Sequence, residues 1–332
     1  MRTSNPRISW RPAARTLLAG AALAALAACS RPPAEPIPVL MYHHLAPDPG
    51  HDVWTVATDE FRRQIAELRA AGYQTVLPGE LRDASARPRK PIVITFDDGL
   101  LSTLTEAEPI LREAGFRAIG YLITGFIADA PADRMTYGVY DCLSWEEVRA
   151  MQRRGTFAFG IHSHSHAGQP DRLAQEAAEC RRIFQRKTGI ETRDFCYPYG
   201  AAPNALVQAV AAAGYRTAMI CADRLFRPGL GADWLRIPRV SVYGGRHGFS
   251  ATPPVRTASG AVEAEVRNAG RPLPVRGILR DAATGRAWSF SPRDRLGPAP
   301  QSWRWTELPA DLDPATLQIE IWEQNGLFRY FP

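Results

Sequence analysis

The chain has 332 residues, 45% of them hydrophobic, which is material for one large core and a smaller second one. Its formal charge of +6 gathers at the start: four of the 40 basic residues and none of the 34 acidic ones precede Cys29. The remainder, 36 basic against 34 acidic residues, is near neutral, which excludes a polyanion such as nucleic acid as the expected partner.

Residues 1–28 read as a lipoprotein signal peptide. Arg2, Arg7, Arg11 and Arg15 form a basic opening, and Leu17 to Ala28 an apolar run too short to span a bilayer. The run closes on Leu26-Ala-Ala-Cys29, which resembles a bacterial lipobox and makes Cys29 the expected lipidation site. The uncharged Ser30 behind it resembles outer-membrane sorting. The expected location is therefore the bacterial envelope, lipid-anchored in the outer membrane and facing the periplasm. Residues 29–38, with Pro32, Pro33, Pro36 and Pro38, form a tether.

Residues 39–250 alternate strand and helix patterns. Val39 to Tyr42 is a strand running into His43-His44, and residues 58–71 carry Phe61, Ile65 and Leu68 at helical spacing until Gly72. Strands follow at Tyr73 to Leu77, Ile92 to Phe96, Ala118 to Ile123, Phe157 to Ile161, Phe195 to Tyr197 and Tyr215 to Ile220. Helices follow at Thr105 to Ala114, from the capping box Ser144-Trp-Glu-Glu147 to Arg153, at Asp171 to Thr188 and at Asn204 to Ala213. Residues 128–141 read as a long polar loop. The alternation predicts an α/β fold with a largely parallel sheet and its chemistry just past the strands' C-terminal ends.

Beyond about residue 250 the pattern changes to short alternating runs at Val262 to Val266, Val275 to Leu279, Arg286 to Phe290 and Leu317 to Trp322. Trp288, Trp303, Trp305 and Trp322 supply bulk for a small core, so residues 251–332 are expected to form a small β-sandwich-like domain. The region shows neither a nucleophile nor a metal constellation. Cys142, Cys180, Cys196 and Cys221 allow three disulfide pairings in an exported chain and lack the spacing of a thiolate zinc site.

The chemistry-bearing residues are concentrated. The β-branched run Ile92-Val-Ile-Thr95 delivers Asp97 and Asp98 into a turn at Gly99. Adjacent carboxylates repel one another, and burying them without a cation is costly. A cation on one would leave the other free as a base. Candidate partner ligands stand in His162-Ser-His-Ser-His166, again behind an apolar run. Two rings four residues apart share a face on a helical turn.

Three stretches together, Thr95-Phe-Asp-Asp-Gly99, His162-Ser-His-Ser-His166 and Phe195-Cys-Tyr-Pro-Tyr-Gly200, resemble the polysaccharide deacetylase family of metal-dependent carbohydrate esterases. The resemblance covers roughly residues 37–245. Val39-Leu-Met-Tyr-His-His44 resembles the subgroup that deacetylates exported poly-N-acetylglucosamine. It implies a distorted (β/α) barrel, with Asp97 as general base and Asp98, His162 and His166 as ligands of a divalent metal. That donor set suits zinc, with manganese, iron or cobalt as alternatives. It also implies the Tyr199 backbone N–H as an oxyanion donor and His43 as the acid that protonates the leaving amine. His44 is expected to face away, since neighbouring strand residues point to opposite sides. His247 is a weaker candidate acid, and His164, midway between the two ligands, is not expected to bind the metal.

The chain departs from the family where an Arg often precedes the third motif and orients the base. Cys196 stands there, and Arg239 is the candidate replacement. The activity implied is removal of N-acetyl groups from a β-linked N-acetylglucosamine polymer. The alternatives are an O-acetyl esterase on an envelope glycan, or a non-catalytic glycan-binding lipoprotein on the same fold.

Overall fold

The computed structural model of the chain describes residues 35–50, 52–244, 249–268, 275–292, 295–306, 308–310, 312–323 and 329–330. The signal segment, Cys29, His247 and most of the tether lie outside the described residues. Through residue 244 the strands are β1 (Val39–Tyr42), β2 (His44–Ala46), β3 (Thr55–Ala57), β4 (Gln74–Thr75), β5 (Pro91–Phe96), β6 (Ala118–Leu122), β7 (Thr136–Tyr137), β8 (Tyr140–Asp141), β9 (Phe157–Ile161), β10 (Asp194–Cys196), β11 (Thr217–Cys221) and β12 (Ile237–Ser241). The α-helices are α1 (Thr58–Ala70), α2 (Glu108–Ala114), α3 (Trp145–Arg154), α4 (Pro170–Thr188) and α5 (Asn204–Ala212).

Seven parallel strands close a ring in the order β1-β5-β6-β9-β10-β11-β12 and back to β1. The short β4 pairs only with the first two residues of β5 (Gln74↔Pro91, Thr75↔Ile92). This is the expected distorted (β/α) barrel. Its strands are buried on both faces, β1 and β6 along their full length, which explains their unbroken apolar runs. Phe61, Ile65 and Leu68 of α1 and Leu173, Ala177 and Phe184 of α4 turn inward to the core. The capping box at Ser144 forms, with the Ser144 hydroxyl accepting from the Glu147 N–H and the Glu147 carboxylate accepting from the Ser144 N–H.

Several expectations need correction. The strand expected at Tyr73 to Leu77 shrinks to Gln74–Thr75, because only the start of β5 is open to it. The helix expected from Thr105 begins as a π-helical turn, Thr103–Ala107, and becomes α-helical at Glu108. The loop at 128–141 holds the two-stranded ribbon β7–β8. β12 was not foreseen, since a proline inside a central strand removes a ladder donor. Pro238 is tolerated because pairing of β12 with β1 begins only beyond it, at Leu40↔Val240.

Past the barrel lie β13 (Phe249–Ala251), β14 (Val255–Arg256), β15 (Val262–Asn268), β16 (Val275–Asp281), β17 (Ala287–Phe290), β18 (Gln301–Trp305), β19 (Leu317–Glu323) and β20 (Arg329–Tyr330). They build two antiparallel sheets, β13-β15-β14 with β18 joined to β15, and β17-β16-β19-β20. Val262, Val266, Trp303 and Trp305 of one sheet share a core with Leu279, Ile319 and Ile321 of the other. The sheets approach so closely that a Cβ on Gly277 would meet the Trp303 ring at 2.3 Å. Trp288 is half-buried against this core, and the Trp322 side chain lies outside the described residues. Among the described residues no helix is long and apolar enough to cross a membrane, and Cys142, Cys180, Cys196 and Cys221 are all free thiols.

Candidate active site

The segments just past β1, β5, β9, β10, β11 and β12 meet over the C-terminal mouth of the barrel. They line a cavity of about 710 Å³ that holds His43, Asp97, Asp98, His162, His166 and Tyr199. Among the described residues five non-glycines have a left-handed backbone: Asp98 (φ 70), Ser163 (φ 68), His166 (φ 54), Tyr199 (φ 59) and Asp223 (φ 41). Each costs on the order of 1 kcal/mol or more, and all five lie in these mouth segments. Gly99 completes the turn behind the carboxylates at φ 73, where a Cβ would sit 2.9 Å from Leu122.

His162, His166 and Asp98 converge. The two imidazole Nε2 atoms lie 3.2 Å apart, and Asp98 Oδ1 lies 3.6 Å from His162 Nε2 and 3.9 Å from His166 Nε2. The Nδ1–H of His162 donates to the Cys196 carbonyl at 2.9 Å, so its Nε2 carries a lone pair into the triangle. His166 Nδ1 is held by the Tyr137 hydroxyl at 2.8 Å. Burial pushes both imidazoles down, His166 to about 4, and so favours their neutral, ligating form. Burial and then the neighbouring Asp97 charge push Asp98 up to about 8.

The spacing of His162 and His166 works through a turn and not through a helix. The chain reverses at Ser163 and at His166, and the Ser163 hydroxyl accepts the His166 N–H at 2.9 Å. Glu176 of α4 clamps the turn from outside, accepting the N–H groups of His164 and Ser165 and the Ser165 hydroxyl. His164 points away, with its Nδ1 at 3.0 Å from the Thr124 hydroxyl, as expected of a residue outside the ligand set.

Asp97 is 2% exposed and meets Arg239 in a bidentate pair, 2.6 Å and 2.8 Å. Arg239 is completely buried and also donates to the Thr95 hydroxyl at 3.1 Å. Burial opposes ionisation of Asp97, but the Arg239 guanidinium and the nearby His162 outweigh it and hold the carboxyl far below the usual range. Cys196, where a family Arg often stands, places its thiol 3.6 Å from the same carboxylate. Arg193 is paired with Glu191 elsewhere. Asp97, His162 and Cys196 also cluster tightly enough to hold an ion, but Arg239 occupies both Asp97 oxygens and burial drives the Cys196 thiol well above its usual range. The Asp98, His162 and His166 set is the better candidate to hold a metal.

His43 Nε2 faces Asp97 Oδ2 at 3.9 Å, and burial lowers its pKa to about 4. His44 also lines the cavity, contrary to the expected alternation. β1 ends at Tyr42 and β2 begins at His44, so the two histidines do not belong to one strand and the period of two breaks between them. Trp54 lies against the His43 ring at 4.6 Å and near Tyr243 at 5.6 Å; with Tyr137, Tyr140 and Tyr199 these rings make the mouth aromatic. Trp54, Glu176 and the two ribbon tyrosines were not singled out from the sequence. The one signal for the tyrosines was Tyr137-Gly-Val-Tyr140, a Gly-centred turn between rings.

A sequence model of the polysaccharide deacetylase family matches residues 84–218, the stretch that carries both carboxylates, the His162–His166 turn and Tyr199. The chain therefore contains a polysaccharide deacetylase family domain. The deacetylase domain is similar to the Bacillus subtilis protein YxkH, 26% identical over 190 residues, 54% of this chain and 62% of that protein. It is also similar to the poly-β-1,6-N-acetyl-D-glucosamine N-deacetylase of Escherichia coli K12, 25% identical over 202 residues, 48% of this chain and 30% of that enzyme. Among solved structures, IcaB from Ammonifex degensii superposes with a TM-score of 0.56 at 25% identity, covering 63% of this chain and 92% of IcaB. The chain thus spans less than two thirds of these two curated relatives.

Proposed function

We propose that the chain is a metal-dependent polysaccharide N-deacetylase acting on a β-linked N-acetylglucosamine polymer. The observation that carries this reading is the Asp98, His162 and His166 triangle set beside a carboxylate kept ionised by Arg239. The donor set fits a cation. Bonds of about 2.0–2.1 Å to a tetrahedral zinc put neighbouring donors about 3.3–3.4 Å apart, against the 3.2, 3.6 and 3.9 Å found here. Zinc suits two imidazoles and a carboxylate best, with manganese, iron or cobalt as alternatives.

When bound, the cation supplies Lewis acidity, polarising the acetyl carbonyl and acidifying water. The chain's own residues do the rest. Asp97, ionised and fixed in orientation by Arg239, accepts the proton of the attacking water. The Tyr199 N–H donates to the developing oxyanion. His43, neutral in the free site and facing Asp97, relays a proton to the leaving nitrogen. Trp54 and the tyrosines offer ring faces to the sugars. The products are acetate and a glucosamine unit.

With Arg239 seated on both Asp97 oxygens, the lack of an Arg at position 196 is no argument for the alternative of a non-catalytic glycan-binding protein, which then rests on the added β-rich region. The Leu26-Ala-Ala-Cys29 stretch supports a lipid anchor at Cys29, and the uncharged Ser30 behind it supports an outer membrane facing the periplasm. Mass spectrometry of the amino-terminal peptide tests the anchor, an unmodified thiol refuting it. The activity is tested on protein from Arg31 onward, by metal content and acetate release from a β-1,6-linked N-acetylglucosamine pentamer. One equivalent of metal with release is expected. Release only from O-acetylated glycan would move the reaction to ester cleavage, and metal without release from either would overturn it.

A further inference from the structure

Beside the reacting groups, the cavity contains a fourth imidazole, that of His44, tied to its own hydrogen-bond chain. His44 Nδ1 lies 3.0 Å from the Thr55 hydroxyl, and that hydroxyl donates to Asp52 Oδ2. Tyr140, whose ring lies 4.4 Å from that of His44, donates its own hydroxyl to the same oxygen at 2.5 Å. Asp52 Oδ1 accepts the Trp54 N–H at 3.2 Å, and the His44 N–H donates to the Trp54 carbonyl at 3.2 Å. The chain thus ties the segment before β3 to the β7–β8 ribbon, both at the mouth.

The proton positions follow from the donor inventory. Burial opposes ionisation of Asp52, but the hydrogen bonds from Thr55 and Tyr140 outweigh it and keep the carboxyl below its ordinary range, so it can only accept. The single Thr55 proton is spent on Asp52. The Thr55 oxygen is then left to accept, and its donor is the Nδ1–H of His44. Burial also lowers the His44 pKa against the opposing pull of Asp52 and Glu106, which favours the neutral ring. A neutral imidazole protonated at Nδ1 presents a lone pair at Nε2, and His44 lines the cavity with no described residue bonded to that atom.

We propose that His44 is a sugar-binding residue of this pocket, its Nε2 accepting a hydroxyl of the polymer, and that Thr55 and Asp52 are positioning residues that hold it in that tautomer. The bare Nε2 calls for a hydrogen-bond donor, which a hydroxyl-bearing glycan unit supplies. The sugar as ligand rests on the deacetylase reading, whereas the tautomer does not.

The test uses protein from Arg31 onward, metal-loaded and labelled with 15N-histidine. Long-range proton–nitrogen spectra are expected to show His44 protonated at Nδ1. Loss of one substrate hydrogen bond raises KM for the β-1,6-linked pentamer about tenfold in Thr55→Val and Asp52→Asn, with kcat within about twofold. Thr55→Ser, which keeps the hydroxyl, restores KM. An Nε2–H tautomer in the unaltered protein, or an unchanged KM in both variants, overturns the proposal. If the unaltered protein releases no acetate, the deacetylase reading fails; calorimetric affinity for the pentamer then replaces KM, and no loss of affinity in the variants overturns the proposal.

Discussion

Arg239→Met tests the electrostatic argument for the site most directly. The substitution keeps a long apolar stem and deletes the guanidinium that contacts both Asp97 oxygens at 2.6 and 2.8 Å. The side chains of Arg239 and Asp97 are 0% and 3% exposed, so bulk water solvates the stranded carboxylate poorly. Breaking such a buried pair costs about 3–5 kcal/mol, a fall in Tm of roughly 10 °C for a barrel of this size. Without Arg239, burial becomes the dominant influence on Asp97, its carboxyl takes up a proton more readily, and the acid limb of the activity profile moves to higher pH. Turnover at neutral pH is expected to fall by about 10²-fold or more. Urea unfolding of Arg239→Met, Asp97→Asn and the double variant completes the assay. The double variant should be more stable than Arg239→Met alone, because the stranded charge is gone. Equal destabilisation by Arg239→Met in both backgrounds, or an unmoved acid limb, would refute the reasoning.

Asp98→Ala and His162→Ala should each abolish metal binding and activity, whereas Asp97→Asn should keep the metal and lose most turnover; metal content measured beside kcat separates the cases, and unchanged turnover in Asp97→Asn would remove its role as base. Loading the site has a pH signature. The Asp98 carboxyl, raised to about 8, is mostly protonated at pH 7 in the metal-free protein, while both ring nitrogens are already neutral. Metal binding at pH 7 should therefore expel about one proton, and affinity should climb with pH and level off above about 8. Calorimetry in buffers of different protonation enthalpy reads the proton count, and a flat affinity from pH 6 to 8 would count against this assignment. Glu176→Gln leaves all three ligands in place but weakens the acceptor that holds the His164 and Ser165 N–H groups. Metal affinity should drop about tenfold with kcat at saturating metal little changed, and an unaltered affinity would show that the turn holds itself.

The sequence by itself determined the elements and the donors. Gly115, Gly155 and Gly189 end their helices in the left-handed conformation, the Ser144 box opens α3, and the apolar runs of β5 and β9 lead into Asp97-Asp98 and into His162. These signals are local, a few residues setting backbone and period, so they read directly. Tertiary structure decided what distant segments do together. Arg239 lies 142 residues from the carboxylate it fixes, on a strand whose proline hid it, and only closure of the ring brings β12 beside β1, whose other neighbour is β5. The turn that carries His162 and His166 depends on left-handed residues at 163 and 166 and on Glu176 from a later helix, none of which a spacing of four encodes. The two adjacent histidines share one cavity because a strand ends between them, and Asp52 and Thr55 orient the second of them from the neighbouring strand segment. Periodicity is written along the chain, whereas electrostatic pairing depends on distance through space, and that distance exists only once the barrel has closed.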